Sequence, residues 1–144
     1  MAEKMFAHDI GPSVVVSSAG LFTTKWNDRT DERTVQVLRA HGYPAERTKA
    51  TQISAWHYGA DLLVAMDRTH VRALLGRGVS IDRIRLLRTY EPHGSYAFLD
   101  VPNPYRGDQA AFEQVYRIIA ASLPSLRAYV KRMASEREPS SQRT

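Results

Sequence analysis

Apolar positions along the chain alternate between helical and extended spacing. Ala2, Met5 and Phe6 recur at i, i+3 and i+4, so the chain opens in a helix with one apolar stripe. Ser13-Val-Val-Val-Ser-Ser-Ala-Gly20 is a short β-branched run closed by small residues, the pattern of a buried strand entering a loop. A polar loop from Leu21 to Thr30 follows, carrying Phe22 and Trp26. Thr30 stands where a cap belongs, ahead of a helix predicted from Asp31 to His41. Its first turn is acidic, Val35, Val37 and Leu38 form the buried stripe, and Gly42 is the stop. Thr51 to Gly59 reads as a short helical turn, and Ala60-Asp-Leu-Leu-Val-Ala-Met66 is the clearest buried strand. Asp67 is the natural cap of a helix running to Leu75, and Arg83 to Arg88 is the next strand. The stretch from Thr89 to Gly107 is long enough to be functional on length alone. Beyond Asp108, the residues Phe112, Val115, Tyr116, Ile119 and Leu123 share one helical face, so a final helix packs on the sheet, with Pro124 kinking or restarting it. Ser135 to Thr144 is polar and predicted to be a disordered tail, leaving residues 1–134 as one domain.

Strands alternating with helices predict an α/β fold: a parallel sheet in a three-layer arrangement, with helices on both faces and sites at the carboxyl ends of the strands. Composition narrows the chemistry. The 144 residues carry a net charge of +5, and +3 of this comes from residues 127–144 alone, where five basic side chains face two acidic ones. The remainder is nearly balanced, which reads as a solvated helix end and not a nucleic-acid surface. No apolar run reaches the roughly 18 residues of a membrane span, and no signal-peptide pattern opens the chain. A cytoplasmic protein is expected, with secretion by a signal-independent route left open. The sequence holds no cysteine, which removes disulfides, thiolate metal sites and a thiolate nucleophile. The five histidines (His8, His41, His57, His70 and His93) have no metal-ligand spacing, so no metal and no cofactor is expected.

Several blocks, in this order, carry a family resemblance. They are Met-Ala-Glu at the start, Val-Ser-Ser-Ala-Gly ending at Gly20, Leu-Arg-Ala-His-Gly-Tyr ending at Tyr43, Ala-Asp-Leu-Leu-Val-Ala-Met-Asp-Arg from Ala60 to Arg68, and Asn103-Pro-Tyr-Arg-Gly-Asp108. The chain resembles the low-molecular-weight protein tyrosine phosphatases from Met1 to about Val130, and their actinobacterial members most. In that family a loop written Asp-Pro-Tyr-Tyr/Trp-Gly precedes the last long helix and carries the catalytic acid.

The resemblance implies a mechanism in which a Cys thiolate in a Cys-x5-Arg-Ser-Pro loop attacks phosphorus. Loop amides and an Arg hold the phosphoryl oxygens, and an Asp protonates the leaving tyrosine oxygen. Here Asn103 occupies the acid position, and no catalytic residue is intact. Tyr105 and Arg106 take the places of the tandem aromatics, either as the rim of a substrate pocket or as solvent-facing loop residues. Trp26 lies two residues past the usual aromatic wall position, which falls on Thr24, so it is either a displaced wall or a residue packed under its loop. Asp100 and Asp108 are read as structural, Asp108 as a helix cap.

On the resemblance, the chain starts one strand and one loop late, with the first central strand missing between the strands at Val14 to Ser17 and Ala60 to Met66. Four readings follow: a truncated phosphatase, a pseudophosphatase that binds phosphotyrosine or another phosphoprotein without turnover, a remnant, or an arsenate reductase, whose chemistry needs cysteines. Bare strand edges at the gap imply self-association, either by the Val14 strand shifting across or by a second copy covering it.

Overall fold

The computed structural model describes residues 1–21, 29–94 and 98–137. Seven elements carry the architecture. They are α1 (Ala2–Ile10), α2 (Glu32–Ala40), the single turn α3 (Ala55–Tyr58), β1 (Leu63–Ala65), α4 (Arg68–Gly76), β2 (Ile84–Leu86) and the long α5 (Gln109–Arg137). Short 3₁₀ turns at Ile81–Arg83 and Leu87–Tyr90 flank β2.

β1 and β2 pair in parallel, Leu63 opposite Ile84 and Ala65 opposite Leu86, with α4 as the crossover between them. Successive strand residues point to opposite faces, so β1 serves two cores. Leu63 packs with Leu74 of α4, Val79, Ile84 and Leu21. Its neighbours Leu62 and Val64, with Met66, pack on the other side against Met5, Val35, Leu38, Leu87, Val115, Ile119, Leu123 and Leu126. Helices α1, α2 and α5 thus cover one face of the sheet and α4 the other, which is the three-layer arrangement the pattern predicted.

The helical stripes fall where their spacing placed them. Met5 is fully buried on α1 with Ala2 and Phe6 half-buried beside it, and Val35, Val37 and Leu38 are buried on α2. On α5, Phe112, Val115, Ile119 and Leu123 are buried, joined by Ile118, Ser122 and Leu126. The cap of α2 is Asp31 and not Thr30: the Asp31 carboxylate accepts the Arg33 N–H at 2.9 Å, whereas the Thr30 hydroxyl donates to Thr48. Gly42 closes that helix with φ of 84°, a conformation open to glycine and costly for a side chain. Asp67 caps α4 as expected, accepting the His70 N–H at 2.9 Å. The final helix runs unbroken through Pro124 and on to Arg137, so the tail does not begin at Ser135. An ion pair from Arg137 to Asp61 ties that last turn to the residues ahead of β1.

The run from Ser13 to Gly20 departs most from expectation. It forms no strand. Val14 and Val16 are half-buried while Val15 is 83% exposed, so the side chains alternate as in a strand, but the backbone from Pro12 to Ala19 makes no backbone hydrogen bond among the described residues. Only Gly20 is paired, by a parallel bridge to Gln52 in which its N–H donates to Thr51 at 2.7 Å. The segment does not cross to pair with β1, whose ladder partner among the described residues is β2. A β-branched run has extended local preference, but an extended chain becomes a strand only against a neighbour that takes its hydrogen bonds.

Candidate active site

The loop from Asp100 to Asp108 is anchored at both ends. At its start, the Val101 N–H donates to the Met66 carbonyl at 2.8 Å, fastening it to the carboxyl end of β1. Asp100 accepts the Arg68 backbone N–H at 2.9 Å and the Arg68 Nε at 3.3 Å, and Arg88 donates to the Asp100 carbonyl at 3.0 Å. The bonds from the Arg68 backbone and then its guanidinium hold the Asp100 carboxyl below the usual aspartate range. At the other end the Asp108 carboxylate accepts the Ala111 N–H at 3.1 Å, capping the start of α5. Both flanking carboxylates are therefore engaged in structure, each accepting a backbone N–H.

Between these anchors Asn103 makes a tight local turn. Its side-chain oxygen accepts the Tyr105 N–H at 3.1 Å. Tyr105 is 62% exposed and meets Phe112 edge to face, with ring centroids 6.3 Å apart. Arg106 is also exposed, beside it in the chain. The two residues expected at a pocket rim thus stand at the surface of the loop. Trp26, the third expected substrate contact, lies outside the described residues, as does Thr24.

Arg33 organises the loop and was absent from the sequence-based set. Its guanidinium lies 4.3 Å from the centroid of the Phe112 ring, forks onto Asp31 at 2.9 and 3.1 Å, and donates to the carbonyls of Gly107 at 2.6 Å and Tyr105 at 3.1 Å. Hydrogen bonds from Arg33 hold the Asp31 carboxyl below its ordinary value, and Asp31 in turn raises Arg33. One planar side chain with five donors can make all of these contacts at once. The Asp31 and Arg33 pairing had a local signal in the chain. Contacts to carbonyls 72 and 74 residues away had none.

On the far side of Tyr105 is an open hollow of about 540 Å³, lined by Arg29, Asp31, Glu32, Arg47 and Tyr105. Arg47 Nε donates to the Thr30 carbonyl at 2.9 Å and lies 4.0 Å from Glu32. Arg29 is paired with Lys49 across an antiparallel bridge. Among the described residues, no cluster of three or more His, Asp or Glu side chains could hold a metal ion, and no helix is long and apolar enough to cross a membrane.

A parallel β-α-β core between two helical layers, with a Pro-Tyr loop anchored at the carboxyl end of a strand ahead of the last helix, defines a three-layer α/β protein. Comparison with known proteins establishes the family. The model for "Low molecular weight phosphotyrosine protein phosphatase" matches residues 1–136, and the chain belongs to that family. It is 43% identical over 145 residues to low molecular weight protein-tyrosine phosphatase A of Mycobacterium tuberculosis, an alignment covering 97% of this chain and 88% of the relative. The Streptomyces coelicolor low molecular weight protein-tyrosine-phosphatase is 32% identical over 95% of this chain and 88% of its own length. Among solved structures, a protein tyrosine phosphatase from Entamoeba histolytica superposes with a TM-score of 0.80 at 20% identity, covering 92% of this chain and 88% of that one. The YwlE arginine phosphatase of Geobacillus stearothermophilus superposes at 0.78 and 19%, covering 95% and 87%. One scaffold therefore carries phosphatases named for different phosphorylated residues, so substrate has to be argued from the site and not from the fold.

Proposed function

We propose that the 144-residue polypeptide is a binding form of the phosphatase scaffold, presenting an aryl-recognition loop without turning over phosphotyrosine. The observation that carries this reading is the absence of any thiol: the sequence holds no cysteine, and the family's chemistry, as its members resemble this chain, runs through a cysteine nucleophile. The loop supports it. Asn103 cannot donate a proton as a carboxylic acid does, and Asp100 and Asp108 are both committed to backbone N–H groups. What remains is Tyr105, its backbone bonded to Asn103 and Arg33 and its ring exposed, suited to pack against the phenyl group of a phosphotyrosine protein or a related phosphoprotein.

The test is an assay of para-nitrophenyl phosphate and of a phosphotyrosine peptide with the polypeptide as given, beside a titration of the same peptide followed by amide shifts. No turnover above background is expected, with shifts centred on Tyr105 and its loop. Turnover that survives repurification overturns the reading. Absence of any shift at the loop overturns its binding half.

A further inference from the structure

The strip beside Tyr105 has a charge pattern that the loop itself does not explain. Arg29 and Lys49 face each other across an antiparallel bridge, and directly opposed residues of such a pair place their Cβ atoms about 4.5–5.5 Å apart on one face. Two like charges at that spacing repel. Both side chains are exposed, and among the described residues neither makes an ion pair. Arg47, two residues before Lys49, lines the same hollow as Arg29 and Tyr105. Asp31 is taken by Arg33 at 2.9 Å and Glu32 pairs with Arg47 at 4.0 Å, so neither acid is set against Arg29 or Lys49.

The backbone under these cations is fixed. Thr30 N–H donates to Thr48 at 2.8 Å and Arg47 Nε donates to Thr30 at 2.9 Å, while Arg33 fixes the Tyr105 side of the hollow. The surface is therefore held in place with Arg29 and Lys49 unmatched among the described residues, a state that a bound anion relieves.

We propose that this hollow and the bridge at its edge dock an acidic peptide segment: carboxylates of the peptide meet Arg29 and Lys49, and an aromatic residue of the same segment packs on Tyr105. The acids in the lining select a peptide. Asp31 and Glu32 stand beside the cations, and a continuous phosphate backbone would have to carry charge past them, whereas a peptide can set its acidic side chains on Arg29 and Lys49 and pass Glu32 with neutral backbone. The inference shares Tyr105 with the binding reading above and rests on that reading for its aromatic wall. Its charge component stands apart, so the two can fail separately.

The experiment uses the 144-residue chain and four fluorescent probes: an unphosphorylated Asp/Glu-rich peptide with a central Tyr, the same peptide with Lys in place of its acids, a phosphotyrosine peptide without flanking acids, and a single-stranded oligonucleotide. The acidic peptide is expected to bind and the Lys version not to. Raising the salt to roughly 0.5 M, where screening reaches to about 4 Å, should weaken binding. Arg29→Glu with Lys49→Glu should weaken it about tenfold, since two exposed pairs become two repulsions. Lys131→Glu with Arg132→Glu at the far end of α5 should change nothing. Arg29→Gln with Lys49→Gln should act in the same direction as the reversal, and circular dichroism of each variant separates lost binding from lost folding.

Equal binding of the Lys peptide overturns the proposal, as does indifference of the acidic peptide to both Arg29/Lys49 pairs or a matching affinity for the oligonucleotide. Failure of the phosphotyrosine probe alone counts against the earlier reading and leaves this one standing.

Discussion

At position 103 a carboxamide oxygen accepts the Tyr105 N–H at 3.1 Å, and a carboxylate oxygen would accept the same bond. Asn therefore keeps the turn that an Asp would make while losing its proton. If a Cys-x5-Arg-Ser-Pro loop is supplied ahead of Met1, Asn103→Asp is expected to raise the rate by about 10²-fold for tyrosine phosphate, because a positioned general acid is worth that much for a poor leaving group. The gain should be smaller for para-nitrophenol, which leaves without help. Equal gains on both substrates would remove position 103 from proton transfer.

Arg33 is the other residue at which a single change reaches the loop. Arg33→Lys keeps the charge but lacks the planar fork, so it cannot hold Asp31 and both loop carbonyls together. Faster hydrogen exchange at Tyr105 and Gly107, with the fold retained, is the expected readout. The pH dependence follows from Asp31, whose folded carboxyl is depressed by Arg33 below 3.8. Its contribution to stability is complete above that value and is lost as the pH falls through the lower folded one. In urea titrations across that acid range, Arg33→Met should flatten the decline below pH 3.8, leaving the part due to Asp100 and Arg68, which is depressed in the same direction.

Elements in this fold are joined by caps as much as by packing. Asp67, two residues past β1, starts α4 by accepting the His70 N–H at 2.9 Å, and the next residue, Arg68, carries Asp100 on its own N–H. One short junction therefore orients both the crossover helix and the loop. Asp67→Ala should cost about 1 kcal/mol, the usual loss for an N-cap, and should also disturb the amides of Asp100 and Val101. A stability loss without any change at those two amides would separate the helix from the loop. On α5, Ser122 is fully buried and donates its hydroxyl to the Ile118 carbonyl at 3.0 Å, which lets a polar side chain sit among the core residues two positions before Pro124.

At the scale of the whole molecule the weak place is the Val14 to Ser17 segment. It alternates like a strand, exposes Val15 and has no ladder partner among the described residues, where β1 too is paired on one side only. Extended apolar backbone with unmade hydrogen bonds is a template for another chain. Self-association that grows with concentration is the expected result in sedimentation, and Val15→Lys should reduce it by placing a charge on the bare face. A wild-type chain that sediments as a monomer at every concentration and melts sharply would show that this edge is not sticky.

How much of this was legible beforehand depended on range. Apolar period placed α1 and α5, period with cap and stop signals placed α2, and the cap at Asp67 placed α4, because a helix closes its own hydrogen bonds and carries its signals within a few residues of itself. The family was legible from blocks such as Ala60 to Arg68, and the loop's position from Asn103 to Asp108. Where an outcome needed a distant partner, the chain was silent or misleading. The Val14 run had every local mark of a strand and formed none, since pairing is decided by a neighbour. The cap of α2 passed from Thr30 to Asp31 because Thr30 was drawn toward Thr48. Arg33 became the clamp of the loop only when folding brought Tyr105 and Gly107 beside α2. The cationic strip arose in the same way, from a bridge that sets Arg29 against Lys49 across twenty residues of chain. Local hydrogen bonding and hydrophobic period belong to the sequence, and the meeting of charges and carbonyls across the fold belongs to the tertiary structure.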